Sequence, residues 1–200
     1  MNRFGQVGIA AIAATMLIAP AQAQFSESYK FLKAVREGDG AKVNETLDAP
    51  GSTMIDTRDY TTGETALHIV VKRRDTTWLG FLLARGAKPD VRDTQGNTPL
   101  ALAAQLGFTE GVQQLIDRRA NVNLENSQGV TPIISSVQNR DLATTRLLLA
   151  AGANPARADR IAGKSARDYA VEDRRSAALL KIIDDAKPAK LPPKVSGPTL

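Results

Sequence analysis

One segment of the chain has residue types that could bind a phosphate. Residues 158–165 end in Gly163-Lys164-Ser165 and match a relaxed phosphate-binding loop, with alanine in place of its first glycine. Such a loop works when a buried strand leads into it and backbone N–H groups converge with the lysine on the phosphate. The preceding residues 154–157, Asn-Pro-Ala-Arg, predict no strand. We therefore expect a turn here, and a nucleotide-dependent enzyme or switch using residues 158–165 stands as the alternative function.

The other candidate for chemistry is His68, the single histidine of a chain that has no cysteine. This composition excludes paired-histidine metal sites, cysteine-ligated metals and thiolate catalysis. Any catalytic triad would depend on this one imidazole. Isolated carboxylates such as Asp93 and Asp141 stand at predicted turn or cap positions, where they would accept backbone hydrogen bonds. We predict no catalytic residue, no metal site, no cofactor and no enzymatic activity.

The glycine before Lys164 belongs to a pattern that recurs along the chain. Gly63, Gly96, Gly129 and Gly163 each stand two positions ahead of a short phrase of the type Thr-Pro-Leu, with steps of 33, 33 and 34 residues between copies. An apolar pair follows each phrase at the same interval. A fixed period of this length predicts one supersecondary unit copied along an axis, and therefore a solenoid. The phrases begin at Thr65, Thr98, Thr131 and Ser165, and the apolar pairs are Leu82-Leu83, Leu115-Ile116, Leu148-Leu149 and Ile182-Ile183.

Within each copy, the residues predict the order turn, helix, turn, helix. In the copy that begins at Arg92, Thr98 can cap the first helix and Pro99 can fill its first turn, where a missing N–H costs nothing. Gly107 can end that helix in a left-handed conformation, and an apolar stripe follows for a second helix. Neither helix could bury its stripe alone, so adjacent copies must stack.

These residues resemble the ankyrin repeat, through Gly-x-Thr-Pro-Leu, a helical pair and a closing Gly-Ala. The resemblance covers residues 25 to about 187 and implies an all-α ankyrin-repeat solenoid of about five helix-turn-helix repeats with short β-turn or hairpin tips. In the family, the histidine of the phrase bonds to turn backbone, which implies a structural role for His68. The repeats are placed near residues 25–57, 58–90, 91–123, 124–157 and 158–187.

Several residues depart from the family pattern. Ala66 and Ala166 replace the proline that opens a first helix, and Arg74, Arg119 and Arg140 replace glycines. We expect these changes to soften single turns without breaking the architecture.

Two turns also differ in length from the others. Residues 59–62 and 159–162 each hold one extra residue. We expect their loops to differ locally from the family norm.

Both ends of the chain are predicted to lie outside the repeats. Residues 1–23 have the features of a cleaved signal peptide: Arg3, an uncharged apolar run, and small residues in Ala21-Gln22-Ala23. We expect Gln24 at the mature N-terminus, residues 24–187 as the repeat domain, and a periplasmic or secreted location without stable membrane insertion. The Pro- and Lys-rich residues 188–200 predict a disordered tail, because they cannot bury enough apolar area to offset their ordering entropy.

Composition narrows the class of partner. The formal net charge is +5, acidic and basic residues are interleaved, and aromatic residues make up 4% of the chain. Nucleic-acid recognition generally uses a basic stripe with aromatic platforms, so we expect no nucleic-acid partner. We expect a monomer that binds a protein.

The resemblance places that protein on the concave surface, which turn tips and the exposed sides of first helices form. Matched position by position, the variable positions are basic toward the N-terminal repeats and nearly uncharged further on. They suit a partner with an acidic patch facing an amide-rich stretch. An ordinary solvated face and a structural envelope protein remain as alternatives. The predicted partner-binding residues are Arg58, Glu64, Lys72 and Arg73 in the second repeat, Arg92, Thr94, Gln95, Asn97, Gln105 and Leu106 in the third, and Glu125, Gln128 and Gln138 in the fourth.

Overall fold

Ten α-helices in five consecutive pairs form the described part of the computed structural model, which covers residues 19–186, with side chains from residue 27 onward. This part of the chain has no β-sheet, so the prediction of an all-α repeat solenoid is confirmed. Residues 1–18 of the predicted signal peptide and the predicted tail at 188–200 lie outside the described residues. The helices are α1 (Ala19–Glu37), α2 (Gly40–Asp48), α3 (Ala66–Lys72), α4 (Thr76–Ala84), α5 (Pro99–Gln105), α6 (Thr109–Asp117), α7 (Pro132–Gln138), α8 (Leu142–Ala150), α9 (Ala166–Glu172) and α10 (Ala177–Asp185).

The first helices begin where the repeated phrase predicts. Thr98 Oγ1 accepts a hydrogen bond from the Ala101 N–H, and Pro99 is the first residue of α5. Ser165 caps α9 in the same way, by accepting from the Asp168 N–H. The first N–H groups of a helix have no partner inside it, so these caps define where α5 and α9 start.

Three arginines have the left-handed backbone conformation that follows a helix. Arg74, Arg119 and Arg140 have φ values of 55°, 62° and 56°. This conformation costs a residue with a Cβ about 1–2 kcal/mol. The Arg74 and Arg140 guanidinium groups bond to the next repeat, at the Leu106 carbonyl and the Asp173 carboxylate. The solenoid therefore accommodates all three arginines, as the sequence predicts.

A continuous apolar core runs through the stack. Leu67, Leu100 and Ile133 hold the same position of the phrase in successive repeats and are at most 1% exposed. In the fifth repeat this position is Arg167, whose Nε donates to Asp184 Oδ1 over 2.7 Å. An exposed ion pair thus replaces a buried aliphatic side chain where the described stack ends, as expected for an outer repeat with one face in water.

The tips of adjacent repeats are joined by a ladder of backbone hydrogen bonds, defined here as the tip ladder. It consists of Thr94 N–H to Thr62 O at 3.0 Å, Ser127 N–H to Gln95 O at 3.0 Å and Arg160 N–H to Gln128 O at 2.9 Å. Each rung joins one tip to the next along the stack.

The recurring glycine is the residue that permits this approach. A Cβ at Gly63, Gly96 or Gly129 would lie 2.7–2.8 Å from a backbone nitrogen of the next tip. At Gly163 a Cβ would meet nothing within 4 Å, although φ is +65° there as well. The first three glycines are therefore required by contact between repeats, and Gly163 only by its own backbone conformation.

Two tips hold the predicted extra residue. The Gly63 N–H bonds to Asp59 O four residues back, whereas the Gly96 N–H bonds to Asp93 O three residues back. The longer tips each present an exposed apolar side chain: Tyr60 is 89% exposed and Ile161 is 71% exposed.

Within residues 19–186, no helix combines the length and the apolar character that a bilayer crossing requires.

Candidate partner-binding surface

The tips and the exposed sides of α3, α5, α7 and α9 form one surface, defined here as the inner face. It contains the thirteen residues predicted to bind a partner. Nine of them are exposed, two are half-buried (Leu106 and Glu125) and two are buried (Glu64 and Asn97). The exposed ones are Arg58, Lys72, Arg73, Arg92, Thr94, Gln95, Gln105, Gln128 and Gln138.

The basic residues of the inner face bond to other parts of the chain. Arg58 Nε donates to Gly63 O at 3.2 Å, and an Arg92 guanidinium N–H donates to Glu125 O at 2.8 Å. The Lys72 ammonium pairs with the Glu64 carboxylate. The Lys72 charge is therefore paired with a carboxylate, whereas Arg58 and Arg92 keep their positive charge and have guanidinium N–H groups engaged by backbone carbonyls, which the sequence alone did not indicate.

Arg73 joins two repeats. Its guanidinium donates to Val35 O at 2.6 Å and Arg36 O at 3.0 Å, at the end of α1. Asn139 repeats this pattern two repeats later, with its Nδ2 donating to Gln105 O at 2.7 Å. Both side chains satisfy carbonyl groups that a helix end leaves without partners.

Thr94 and Gln95 belong to the tip ladder. Thr94 Oγ1 donates to Thr62 O at 2.9 Å, beside the backbone rung. Gln95 Oε1 accepts from Asn97 Nδ2 at 3.2 Å. These side chains stiffen the tip on which they lie.

A further tip contact is made by Asp59. Partial burial opposes ionisation of this carboxyl, but hydrogen bonds from the Thr62 N–H and the Arg36 guanidinium lower its pKa to about 2. The Asp59 carboxylate also accepts from the Thr61 N–H at 2.9 Å. It therefore holds the longer tip that presents Tyr60.

His68 lies below the inner face and joins the second and third repeats. The Thr65 N–H donates to Nδ1 at 3.1 Å, and Nε2 bonds to Asn97 O at 3.0 Å. Burial lowers the pKa of His68, while the Asn97 carbonyl and the Asp93 charge oppose that effect. The neutral imidazole with its proton on Nε2 satisfies both contacts. The structural role implied by the family resemblance is confirmed in this geometry.

A small cavity of about 190 Å³ lies on the inner face at the third and fourth repeats. Four of the predicted residues line it: Asn97, Gln105, Gln128 and Gln138. The remaining lining residues are Ala101, Asn126, Val130, Ser135 and Asn139, none of which carries a charge.

The asparagines of this cavity are held by the chain itself. Asn126 Nδ2 donates to Asn97 Oδ1 at 3.0 Å, and Asn126 Oδ1 accepts from the Gln128 and Val130 N–H groups, both at 3.0 Å. By contrast, the exposed side chains of Gln105 and Gln128 form no hydrogen bond inside the described part of the chain. The asparagine side chains are thus held in place by hydrogen bonds, whereas the amide groups of these two glutamines are free to bond to another molecule.

Five lining residues are not among the predicted ones, and two of them, Asn126 and Ser135, carry a signal in the sequence. Asn126 holds the turn position that is Asp93 in the previous repeat, so a carboxylate is absent there. Ser135 stands where α5 has Leu102. Comparing equivalent positions across repeats would have identified both, because each replaces a charged or apolar residue by an uncharged polar one.

The segment that resembles a phosphate-binding loop forms the tip of the fifth repeat. Ala158 and Ser165 form an isolated antiparallel bridge across it, and Lys164 Nζ donates to Glu172 Oε2 at 2.7 Å. Arg160 pairs with Glu125 on the preceding repeat. Within residues 19–186, no strand leads into this tip. The lysine is therefore directed to a carboxylate, and its neighbours do not converge on a phosphate position.

In the described part of the chain, no group of three or more His, Asp or Glu side chains is placed to hold a metal ion.

The repeats of this chain are similar in sequence to those of known proteins. Residues 31–126 and 67–159 match a family model described as ankyrin repeats in three copies. An ankyrin repeat-containing protein of Treponema pallidum is 32% identical over 161 residues, which are 80% of this chain and 52% of that protein. Human transient receptor potential cation channel subfamily A member 1 is 31% identical over 116 residues, or 58% of this chain and 10% of the channel.

A mouse B-cell lymphoma 3 protein homolog is 33% identical over 97 residues, which are 46% of this chain and 22% of that protein. The chain thus spans about half, or much less, of the length of these relatives.

Proposed function

Because this chain belongs to the ankyrin-repeat family, we propose that it is a non-catalytic module that binds a protein partner on its inner face, in the periplasm or outside the cell. Ankyrin repeats are protein–protein interaction modules, and fold alone does not name a partner. The proposal therefore depends on which groups the inner face presents.

The observation that carries the proposal is the pair of open amides beside the cavity. Gln105 and Gln128 are exposed on adjacent repeats without a hydrogen bond inside the described chain, whereas Lys72, Arg58 and Arg92 near them are bonded internally. The hydrogen-bonding groups of these two glutamines are free for a partner, and the repeat backbone that carries them is already ordered, so that binding needs to fix only the side chains.

Export is supported by the sequence of residues 1–23. Intact-mass and N-terminal peptide mass spectrometry of the mature chain, after expression of the full chain in a Gram-negative host, tests this part of the proposal, with an N-terminal pyroglutamate counted as Gln24. We expect the periplasmic fraction to hold a chain that begins at Gln24. A full-length chain confined to the cytoplasm would overturn it.

Site-specific photo-crosslinking in intact cells tests the binding surface. A photoreactive residue at Gln128 should give a discrete adduct with one protein, whereas the same residue at Ala143, exposed on α8, should give none. Adducts of equal yield from both positions, or from neither, would contradict inner-face binding. A structural envelope role would show as loss of envelope integrity on deletion of the chain, without an adduct from either position.

A further inference from the structure

Building on the function proposed above, we propose that the partner is held by an extended, uncharged stretch of its polypeptide backbone, which crosses the inner face at the third and fourth repeats. The occupant is thus a peptide segment and not a folded surface, a charged ligand or a glycan.

The size of the cavity favours a chain segment. At about 190 Å³ it is smaller than the roughly 300–1,000 Å³ typical of small-molecule pockets. It lies between two first helices, α5 and α7, which contribute Ala101 and Gln105 from one side and Ser135 and Gln138 from the other. A single strand can enter a depression of this kind, whereas a flat protein surface would leave its amides unpaired.

The lining of the cavity disfavours ionic ligands, because none of its residues carries a charge. An anion would need a cation, and the lysines at the equivalent positions of the second and fifth repeats, Lys72 and Lys164, are paired with Glu64 and Glu172. A cation would need a carboxylate, and Glu64 and Glu172 are already paired with these lysines. The cavity itself is lined by amides, a hydroxyl and aliphatic groups. Its ligand should therefore be neutral.

The chemistry of the open side chains matches a peptide bond. A glutamine amide presents both donors and an acceptor, and each backbone unit presents one N–H and one C=O. Gln105 and Gln128 lie on neighbouring repeats and line the same cavity, so each can pair with a backbone unit of one segment that crosses both repeats. Glycan hydroxyls also bond to amides, but sugar sites commonly add an aromatic platform, and none of the cavity-lining residues is aromatic.

The two longer tips mark where this segment would extend. Tyr60 and Ile161 protrude from the second and fifth repeats, on either side of the cavity, and are 89% and 71% exposed. Asp59 and Asp159 hold these tips, by accepting N–H groups from Thr61 and Ile161 at 2.9 Å each. Exposed aromatic and aliphatic groups on rigid supports are typical binding anchors. The segment should carry apolar side chains at its ends.

The distance between those anchors sets the length of the segment. They are three repeats apart, and packed helices are separated by about 10 Å, which gives about 30 Å. An extended chain covers that distance with about nine residues at about 3.3 Å each.

A random 12-residue peptide library displayed on phage and selected against the full chain tests the proposal. Enriched peptides, synthesised with acetylated and amidated ends, are measured by fluorescence anisotropy. We expect at least tenfold weaker binding to Gln105→Ala and Gln128→Ala, and weaker binding to Tyr60→Ser. The matched control is Gln113→Ala on α6, where the side chain bonds only to Asp117 on the same helix. Its affinity should equal that of the wild type.

Recognition of the peptide backbone is tested separately, with peptides whose backbone nitrogens are methylated. N-methylation at central peptide positions should reduce affinity at least tenfold, whereas N-methylation at a terminal residue should change it less than twofold. Peptides that bind Gln128→Ala as tightly as the wild type would overturn the proposal, as would failure to enrich any peptide or glutamine-dependent binding on a glycan array. If crosslinking at Gln128 succeeds while peptide selection fails, the proposed function stands and this backbone mode is overturned. If both fail, both are overturned.

Discussion

Lys164 donates a 2.7 Å hydrogen bond to Glu172 across the inner face of the fifth repeat, and the second repeat has the same ion pair with the charges exchanged. Lys164 occupies the position of Glu64, and Glu172 occupies the position of Lys72. At these two positions the outer repeats thus hold paired opposite charges and the central repeats hold uncharged residues. In the intervening repeats, these positions hold Asn97 with Gln105 and Val130 with Gln138.

The exchanged pairs predict that charge order at these positions is free to reverse. Lys164→Glu places like charges together and should lower stability, by less than about 1 kcal/mol because both side chains are partly exposed. Adding Glu172→Lys recreates the arrangement of the second repeat and should restore the wild-type midpoint. Urea unfolding of the four proteins of this double-mutant cycle measures the coupling. A coupling energy of zero would show that the Lys164–Glu172 bond contributes nothing in solution.

The recurring glycines should differ in their tolerance of a side chain. In Gly96→Ala the new Cβ would lie 2.7 Å from Ser127 N, so the tips must separate, and we expect a loss of about 3 kcal/mol. Gly163→Ala meets no neighbour and should cost only the left-handed conformation, about 1 kcal/mol. Thermal unfolding monitored by circular dichroism compares the two. Equal losses would mean that contact across the tip ladder does not limit position 96.

The sequence indicated where these glycines stand but not why. Period, caps and apolar stripes are local patterns, so they predicted the helices and their stacking correctly. The close approach at Gly96 is to Ser127, a residue on the next repeat, and the tip ladder cannot be inferred from local residues. For the same reason, the sequence did not show that Glu64 and Asn97 are buried.

The left-handed arginines provide a test of backbone strain. Arg119 has φ of 62° and makes no side-chain hydrogen bond within the described residues, so Arg119→Gly should stabilise the protein by about 1 kcal/mol. Arg140→Gly also relieves the backbone but loses the bond to Asp173, so its gain should be smaller. Urea midpoints of both variants measure the difference. A larger gain for Arg140→Gly would contradict this account.

Part of the binding surface could not be predicted, because the sequence does not show which exposed side chains already form hydrogen bonds or ion pairs within the chain. Variable positions identified the inner face, but they did not show that Lys72 is paired with a carboxylate or that the Arg58 and Arg92 guanidinium groups already donate to backbone carbonyls. Gln105 and Gln128 are predicted residues whose side chains make no hydrogen bond within the described residues. Which of two exposed polar residues is already bonded depends on neighbours more than thirty positions away, as for Arg92 and Glu125.

His68 should make stability depend on pH between neutrality and mild acid. Its folded-state pKa lies below the unfolded value of about 6.5, so the unfolded chain binds the proton more readily. The contribution of neutral His68 is therefore complete above about pH 6.5 and is lost as the pH falls through the folded-state pKa, at up to about 1.4 kcal/mol per pH unit. Asp93 and Glu64 favour protonation of His68 and Lys72 opposes it, all three acting at longer range than the bonds to Thr65 and Asn97.

Because the chain has a single histidine, this pH window reports on one group. Urea unfolding followed by Trp78 fluorescence from pH 7.5 to 5.0 should show the decline in the wild type. His68→Gln cannot titrate, so its unfolding free energy, although lower, should stay flat over the same range. Asp59 contributes between its unfolded pKa of 3.8 and its folded pKa of about 2, below this window, so its part of the slope is small. Parallel pH profiles for the two proteins would exclude His68 as the source.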